Sequence, residues 1–161
     1  MLEGAIPLSA LTRFRKAVLG FDDDATCRVN LSFYMDGERR RVVSGELEAS
    51  VRLECQRCME SMNSVLVSRF ALGLVTSDGQ AQRLPRELEP YLTDDFSADL
   101  WAMAEDELLL VLPPYPLHDR NECPAKEDLE AYEPGNSSAT AEEKSGDNPF
   151  SVLAGLKKTK H

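Results

Sequence analysis

From Thr26 the chain alternates with period two. Cys27, Val29, Leu31, Phe33 and Met35 fall on one side of an extended chain, with Thr26, Arg28, Asn30, Ser32 and Tyr34 on the other, which predicts a half-buried strand. Asp36-Gly37 follows, a pair suited to a tight hairpin turn that uses positive φ. The return strand holds Val42 and Val43. A further strand runs over residues 46–54, with Leu47, Ala49, Val51 and Leu53 opposed to Glu46, Glu48, Ser50 and Arg52. After a polar interval at 59–63, Leu66, Phe70, Leu72 and Leu74 restore the period-two face over residues 64–74. The motif Cys55-Gln56-Arg57-Cys58 therefore falls in the turn of a second hairpin.

Helical spacing appears in two other places. Leu11, Phe14 and Val18 predict a short N-terminal helix that starts near Ser9 as N-cap, after a short strand or loop around Ile6. Over 99–112, Leu100, Ala104, Leu108 and Val111 form one stripe, Asp99 or Ser97 can cap the start, and Pro113-Pro114 stops the helix. Glu105, Asp106 and Glu107 then occupy the opposite, solvated side. Residues 77–98 are loop-rich and carry no assignment. The expected class is α+β, a mainly antiparallel sheet of hairpins with one long helix and one short one.

Composition changes near the C-terminus. Residues 126–147 hold seven acidic residues against two lysines and no apolar period, the makeup of a disordered linker. Beyond it Asn148-Pro149 reads as a cap and first helical residue. Phe150, Leu153 and Leu156 then follow at helical spacing, with Lys157, Lys158 and Lys160 near the end. This predicts a short amphipathic helix on a tether, with Pro149, Phe150, Leu153 and Leu156 as a partner-binding face. The expected organisation is a globular domain over 1–125, a linker over 126–147 and a tail helix over 148–161.

Charge narrows the choice of partners. Lys and Arg total 18 against 28 Asp and Glu, giving a net charge of −10. Such a field repels RNA, whose nonspecific binding is driven by neutralising phosphates with basic side chains. Arg39, Arg40 and Arg41, with Arg57 and Arg52 expected nearby in the same sheet, are the one basic cluster suited to RNA contact. The competing reading pairs these arginines with Asp22, Asp23 and Asp24 and with the glutamates of 46–54. No basic start with an apolar run opens the chain, and no stretch reaches the roughly 18 apolar residues of a membrane helix, so a cytoplasmic protein without membrane contact is expected. Reduced cysteines follow from that compartment, favouring metal or burial over disulfides.

Cys27 shares its face with four apolar residues and reads as core. The other three cysteines have a different context. Cys55 and Cys58 can grip one ion from a zinc-knuckle-like turn, and His118 with Cys123 completes a Cys3His set suited to one structural zinc. Four protein ligands leave no open position for catalysis. The alternative is a thiol redox or metal-handling protein built on the Cys55 and Cys58 pair, but a reactive Cys-x-x-Cys needs a helix after its first thiol, and no helical period follows Cys58. There is no phosphate-binding glycine loop, paired-carboxylate pattern or Ser-His-Asp signature, so the chain does not read as an enzyme.

Taken in order, several of these stretches resemble one family. They are Leu53-Glu54-Cys55-Gln56-Arg57-Cys58, Ala102-Met103-Ala104-Glu105-Asp106-Glu107, Leu112-Pro113, Pro116-Leu117-His118-Asp119 with Cys123, and Asn148-Pro149-Phe150 before Val152-Leu153-Ala154. Together they are similar to the YceD family, the large ribosomal RNA subunit accumulation proteins of bacteria and plastids. The resemblance implies a noncatalytic role in synthesis, processing or stability of 23S ribosomal RNA. It also implies partners among the large-subunit precursor and its protein assembly or processing factors.

Overall fold

The computed structural model describes residues 1–94 and 97–131. The chain divides into two units, Met1–Pro124 and Ala125–His161. In the first, strands β1 (Leu2–Pro7), β2 (Thr26–Met35), β3 (Arg41–Glu54), β4 (Ser61–Val75) and β5 (Glu89–Leu92) form one sheet in sequence order. Neighbours are antiparallel except β4 and β5, which are parallel. The sheet is thus mixed rather than built of hairpins alone. Helices α1 (Thr12–Ala17), α2 (Asp78–Ala81) and α3 (Leu100–Leu110) complete this unit.

One face of the sheet carries the core. Val29, Leu31, Val43, Leu47, Ala49, Val51, Leu53, Leu66 and Leu72 pack with Leu8, Leu11, Phe14, Met103, Ala104 and Leu108, and Cys27 is fully buried among them. The alternation of β2 holds only through Leu31. Phe33 and Met35 emerge into solvent because β2 runs past the end of the helical cover.

The return strand and the strand of 46–54 are a single strand, β3, fourteen residues long. Gly45 marks a close approach, not a break: a Cβ there would lie 2.5 Å from both Leu31 Cδ2 and Phe70 Cζ. Val42, opposite Gly73, faces away from the core and is buried. Leu84 closes against Gly73, and Val42 and Val75 are both buried outside the main core. At the β2–β3 turn the positive φ belongs to Arg39, at 63°, and not to Gly37. The Asp36 carboxylate accepts from the amides of Glu38 and Arg40, both at 2.9 Å, and this stabilises a wider turn than Asp36-Gly37 alone would make.

The helices also differ from expectation. Leu8–Ala10 is a 3-10 turn, α1 starts three residues after Ser9, and no side chain of its own first turn caps it. Asp99 does cap α3, accepting from the amides of Trp101 and Ala102. Two of the three acidic residues on α3 are not solvated. Glu105 and Glu107 are buried, each tied to a specific donor, because α3 lies flat between α1 and β4 and has little free surface there.

In the second unit, α4 (Lys126–Ala131) lies inside the stretch expected to be unstructured. Acidic Glu127 and Asp128 in its first turn and a Lys126–Glu130 pair favour the helix locally. The rest of the expected linker, and the tail helix with Pro149, Phe150, Leu153 and Leu156, lie outside the described residues. Among the described residues no helix is long and apolar enough to cross a membrane.

Candidate metal centre

The β3–β4 ladder is unbroken from Val42 opposite Gly73 to Glu54 opposite Ser61, and its tip is the Cys-x-x-Cys loop. The loop is closed by Cys55 N–H donating to the Glu60 carbonyl at 2.9 Å and Met59 N–H donating to the Cys55 carbonyl at 2.8 Å. Met59 takes φ of 60°, which turns the backbone back toward β4. Cys55 is thereby buried and Cys58 half-buried, both on the inside of one turn.

The other two donors arrive from the segment after α3. Once α3 has packed along the sheet, the prolines at 113, 114 and 116 carry the chain to the hairpin tip, where Gln56 N–H donates to the Pro116 carbonyl at 2.9 Å. His118 N–H then points at Cys55 Sγ at 3.4 Å, and His118 Nδ1 lies 3.3 Å from Cys58 Sγ. Asp119 folds the chain into a tight turn by accepting from the amides of Asn121 and Glu122, at 3.0 Å on its carboxylate and 3.1 Å on its carbonyl. Buried Cys123 is returned to the same place. The ligand atoms of Cys55, Cys58, His118 and Cys123 all lie within 4.8 Å of one another.

This donor set fits zinc. A tetrahedral site with Zn–S of about 2.3 Å and Zn–N of about 2.0 Å separates its ligand atoms by somewhat under 4 Å, so a small inward movement suffices. The electrostatics agree. Burial works to raise the Cys55 thiol, but N–H groups of Cys58, His118 and Arg57 aimed at its sulfur outweigh it and hold the thiol at about 5, against an ordinary 9.0. Burial pushes Cys58 up, and its contacts with Cys55 and Cys123 push the same way. The cluster favours one thiolate on Cys55 before a cation has arrived. With three sulfurs and one imidazole converging, the arrangement can hold one ion in a closed shell.

The arginines do not form one cluster. Arg39, Arg40 and Arg41 stand at one end of the β3–β4 ladder and Arg57 at the other, separated by the length of β3, roughly 40 Å at about 3.3 Å per residue. The continuity of β3 from Arg41 to Glu54, in place of two separate strands, is what moves them apart. Arg57 Nη1 is buried with no hydrogen-bond partner among the described residues. Arg40 pairs with Asp36 and Glu38 in its own turn, and Arg52 pairs with Asp22 at 2.8 Å. Arg83 stands beside Arg39, Arg40 and Arg41. It comes from the stretch that carried no sequence assignment, and nothing in its neighbours' pattern pointed to that position.

Comparison with known sequences adds a second kind of observation. Residues 43–157 match the family described as large ribosomal RNA subunit accumulation protein YceD. The chain belongs to the YceD family. All four candidate metal ligands of this YceD chain fall inside the matched region. A YceD relative from Haemophilus influenzae, named large ribosomal RNA subunit accumulation protein YceD, is 36% identical over 155 residues, covering 96% of this chain and 86% of its own. That alignment extends the YceD likeness to nearly the whole chain. No solved structure matches.

Proposed function

We propose that this chain is a noncatalytic, cytoplasmic ribosome-biogenesis factor, required for accumulation of the large-subunit RNA through synthesis, processing or stability of 23S ribosomal RNA. The observation that carries this reading is the likeness, over 96% of the chain, to a relative named for that role. The Cys3His cluster supports a structural part for the ion: a closed set of four ligands ties the hairpin tip to residues 118–123 and leaves no coordination position for a substrate. His118 and Cys123 beside the Cys-x-x-Cys pair also favour metal binding over a redox dithiol.

A net charge of −10 favours action mainly through protein partners on the large-subunit precursor, with direct RNA contact confined to local arginines. The domain of 1–125 carries the fold, and the tail of 148–161, on its tether, supplies one partner contact. The test is the ratio of 23S to 16S RNA, with the ribosome sedimentation profile, in cells lacking the protein. A selective fall in 23S RNA and in free large subunits is expected. An unchanged ratio under slow and stressed growth would sink the proposal. Removal of residues 148–161 is expected to abolish complementation while leaving the melting temperature of the remaining chain unchanged.

A further inference from the structure

At the end of the β3–β4 ladder remote from the cysteines, a cleft of about 330 Å³ opens between the β2–β3 turn, the end of β4 and the segment that follows α2. Its size falls in the range of small-ligand sites. Met35, Leu74, Val75 and Leu84 give it apolar walls, and Arg39, Arg40, Arg41 and Arg83, with the single carboxylate of Glu38, line it with charge. Four arginines against one lining glutamate leave this cleft locally basic in a chain of net charge −10.

The arginines are not equivalent. Arg40 Nε meets Asp36 Oδ2 at 2.5 Å and its Nη1 meets Glu38 Oε2 at 2.8 Å, so its charge is already answered. Those bonds, with the Asp36 carboxylate accepting two turn amides, make the turn stiff. Arg39 leaves this turn from a left-handed backbone at φ 63° and is exposed. Neither Arg39 nor Arg83 makes a side-chain hydrogen bond or ion pair among the described residues. Arg39 is held on one wall by the turn, and Arg83 stands on the other, next to Leu84, whose side chain is seated on Gly73. Exposed Met35 and Gln80 also line the cleft; Gln80 Oε1 already accepts from the amide of Thr76 at 3.0 Å, which leaves its Nε2 as the donor, and half-exposed Tyr34 stands on the neighbouring position of β2.

Two unanswered guanidiniums flanking an apolar slot match an anion joined to a flat apolar group. Guanidinium recognises phosphate through paired N–H groups and stacks on bases, and a side-chain amide N–H can donate to an acceptor on a base edge. An extended acidic peptide would call for cations spaced along a groove, whereas here they gather around one small opening. A duplex keeps its bases stacked away from such a slot, whereas a splayed single strand can insert one.

We propose that the cleft between Arg39 and Arg83 binds one unpaired nucleotide of single-stranded RNA, its phosphate on the two guanidiniums and its base against Met35 and Leu84. This rests on the reading that the chain serves large-subunit RNA. The chain as a whole is acidic, so binding is local and engages few phosphates.

The test uses the full chain and fluorescence anisotropy of end-labelled single-stranded oligouridylate and oligoadenylate of about ten nucleotides, with an RNA duplex and a glutamate-rich peptide as competitors. The R39A/R83A variant is expected to bind roughly tenfold or more weakly. The wild-type log–log salt slope should be shallow, and in the variant it should fall by about 0.7 for each phosphate no longer engaged. R28A, remote from the cleft, should bind as wild type, and equal melting temperatures show that all three chains fold. Equal RNA binding by R39A/R83A overturns the proposal, as does absent wild-type RNA binding or competition by the peptide alone. If the oligonucleotide result holds while cells lacking the protein keep a normal 23S to 16S ratio, the biogenesis reading falls and the cleft stands. The opposite pair of results removes the cleft and leaves the biogenesis reading.

Discussion

Glu105 accepts the backbone N–H of Phe14 at 3.0 Å across ninety-one positions of sequence. The same carboxylate takes the amide of Arg13 at 2.6 Å and its Nε at 2.8 Å, so α3 supplies the cap that the first turn of α1 lacks. Glu105→Ala is expected to cost about 1–3 kcal/mol and Glu105→Gln less, measured by urea unfolding, because the amides at 13 and 14 are then without a charged acceptor. Burial works to raise the Glu105 carboxyl, but the Phe14 amide and the Arg13 side chain and amide together hold it below its ordinary 4.5. Folding is therefore helped above pH 4.5, and that help disappears as pH falls from 4.5 toward the folded-state value. Removing Glu105 should shrink the acid dependence in that window; an unaltered acid limb would count against the capping role.

Glu107, two residues on, behaves oppositely. Burial raises its carboxyl, only partly countered by the hydroxyl of Ser68 at 3.2 Å, with Glu89 and Asp106 adding to the rise. A group raised in the folded state favours folding below its ordinary 4.5 and ceases to as pH climbs through the folded value. Glu107→Gln keeps a partner for Ser68 without a buried charge, so it should raise the melting temperature at pH 8 and change it little at pH 4. A lower melting temperature at pH 8 would show that the carboxylate is needed where it stands.

Zinc should be found at one equivalent per chain, by elemental analysis of protein purified without chelator. Cys55→Ser and Cys123→Ser are each expected to abolish it and to lower the melting temperature by roughly 10 °C or more. A chelator should reproduce that drop in the wild type and leave the variants unmoved. Cys27→Ser, in the apolar core, should destabilise without changing metal content. Wild-type protein that melts identically with and without chelator, and carries no zinc, would rule out the metal.

Gly45 and Gly73 give a graded pair. A Cβ at 45 meets Leu31, itself locked in the core, at 2.5 Å, while one at 73 meets only the end of the half-buried Leu84 side chain at 2.8 Å. Gly45→Ala is expected to cost about 1–3 kcal/mol and Gly73→Ala less, since Leu84 can swing aside. Chemical denaturation of both variants checks the order, and a reversed order would contradict the packing described at the middle of the sheet.

Much of this arrangement is legible in the residues. The alternation of Cys27, Val29 and Leu31, the Asp99 cap and the hairpin setting of Cys55 and Cys58 each depend on neighbours in sequence, where local rules apply. His118 and Cys123 are suggested by chemistry alone, and the tertiary fold brings them to the thiols. What is not legible depends on contacts made at a distance. The strand with Val42 and Val43 and the strand of 46–54 read as separate because Gly45 interrupts the apolar alternation, and only the crowding by Leu31 and Phe70 accounts for a glycine there. The acids of α3 look solvated because periodicity counts charge as outward and cannot see the unanswered amides of α1. Arg57 neighbours Arg39, Arg40 and Arg41 only if β3 is taken for two strands, and Arg83 has no pattern to mark it.

The cysteine cluster also sets an order of events. His118 comes sixty positions after Cys58, and at a synthesis rate of about 5–20 residues per second several seconds pass between them. During that interval the hairpin tip offers an ion only two sulfurs, too few to retain it firmly. The four-donor set is complete only once Cys123 has been made, one residue before the first unit ends at Pro124. An ion bound by all four ligands would thus mark completion of the newborn domain, and a chain truncated before Cys123 would lack the fourth donor at the tip of its longest hairpin.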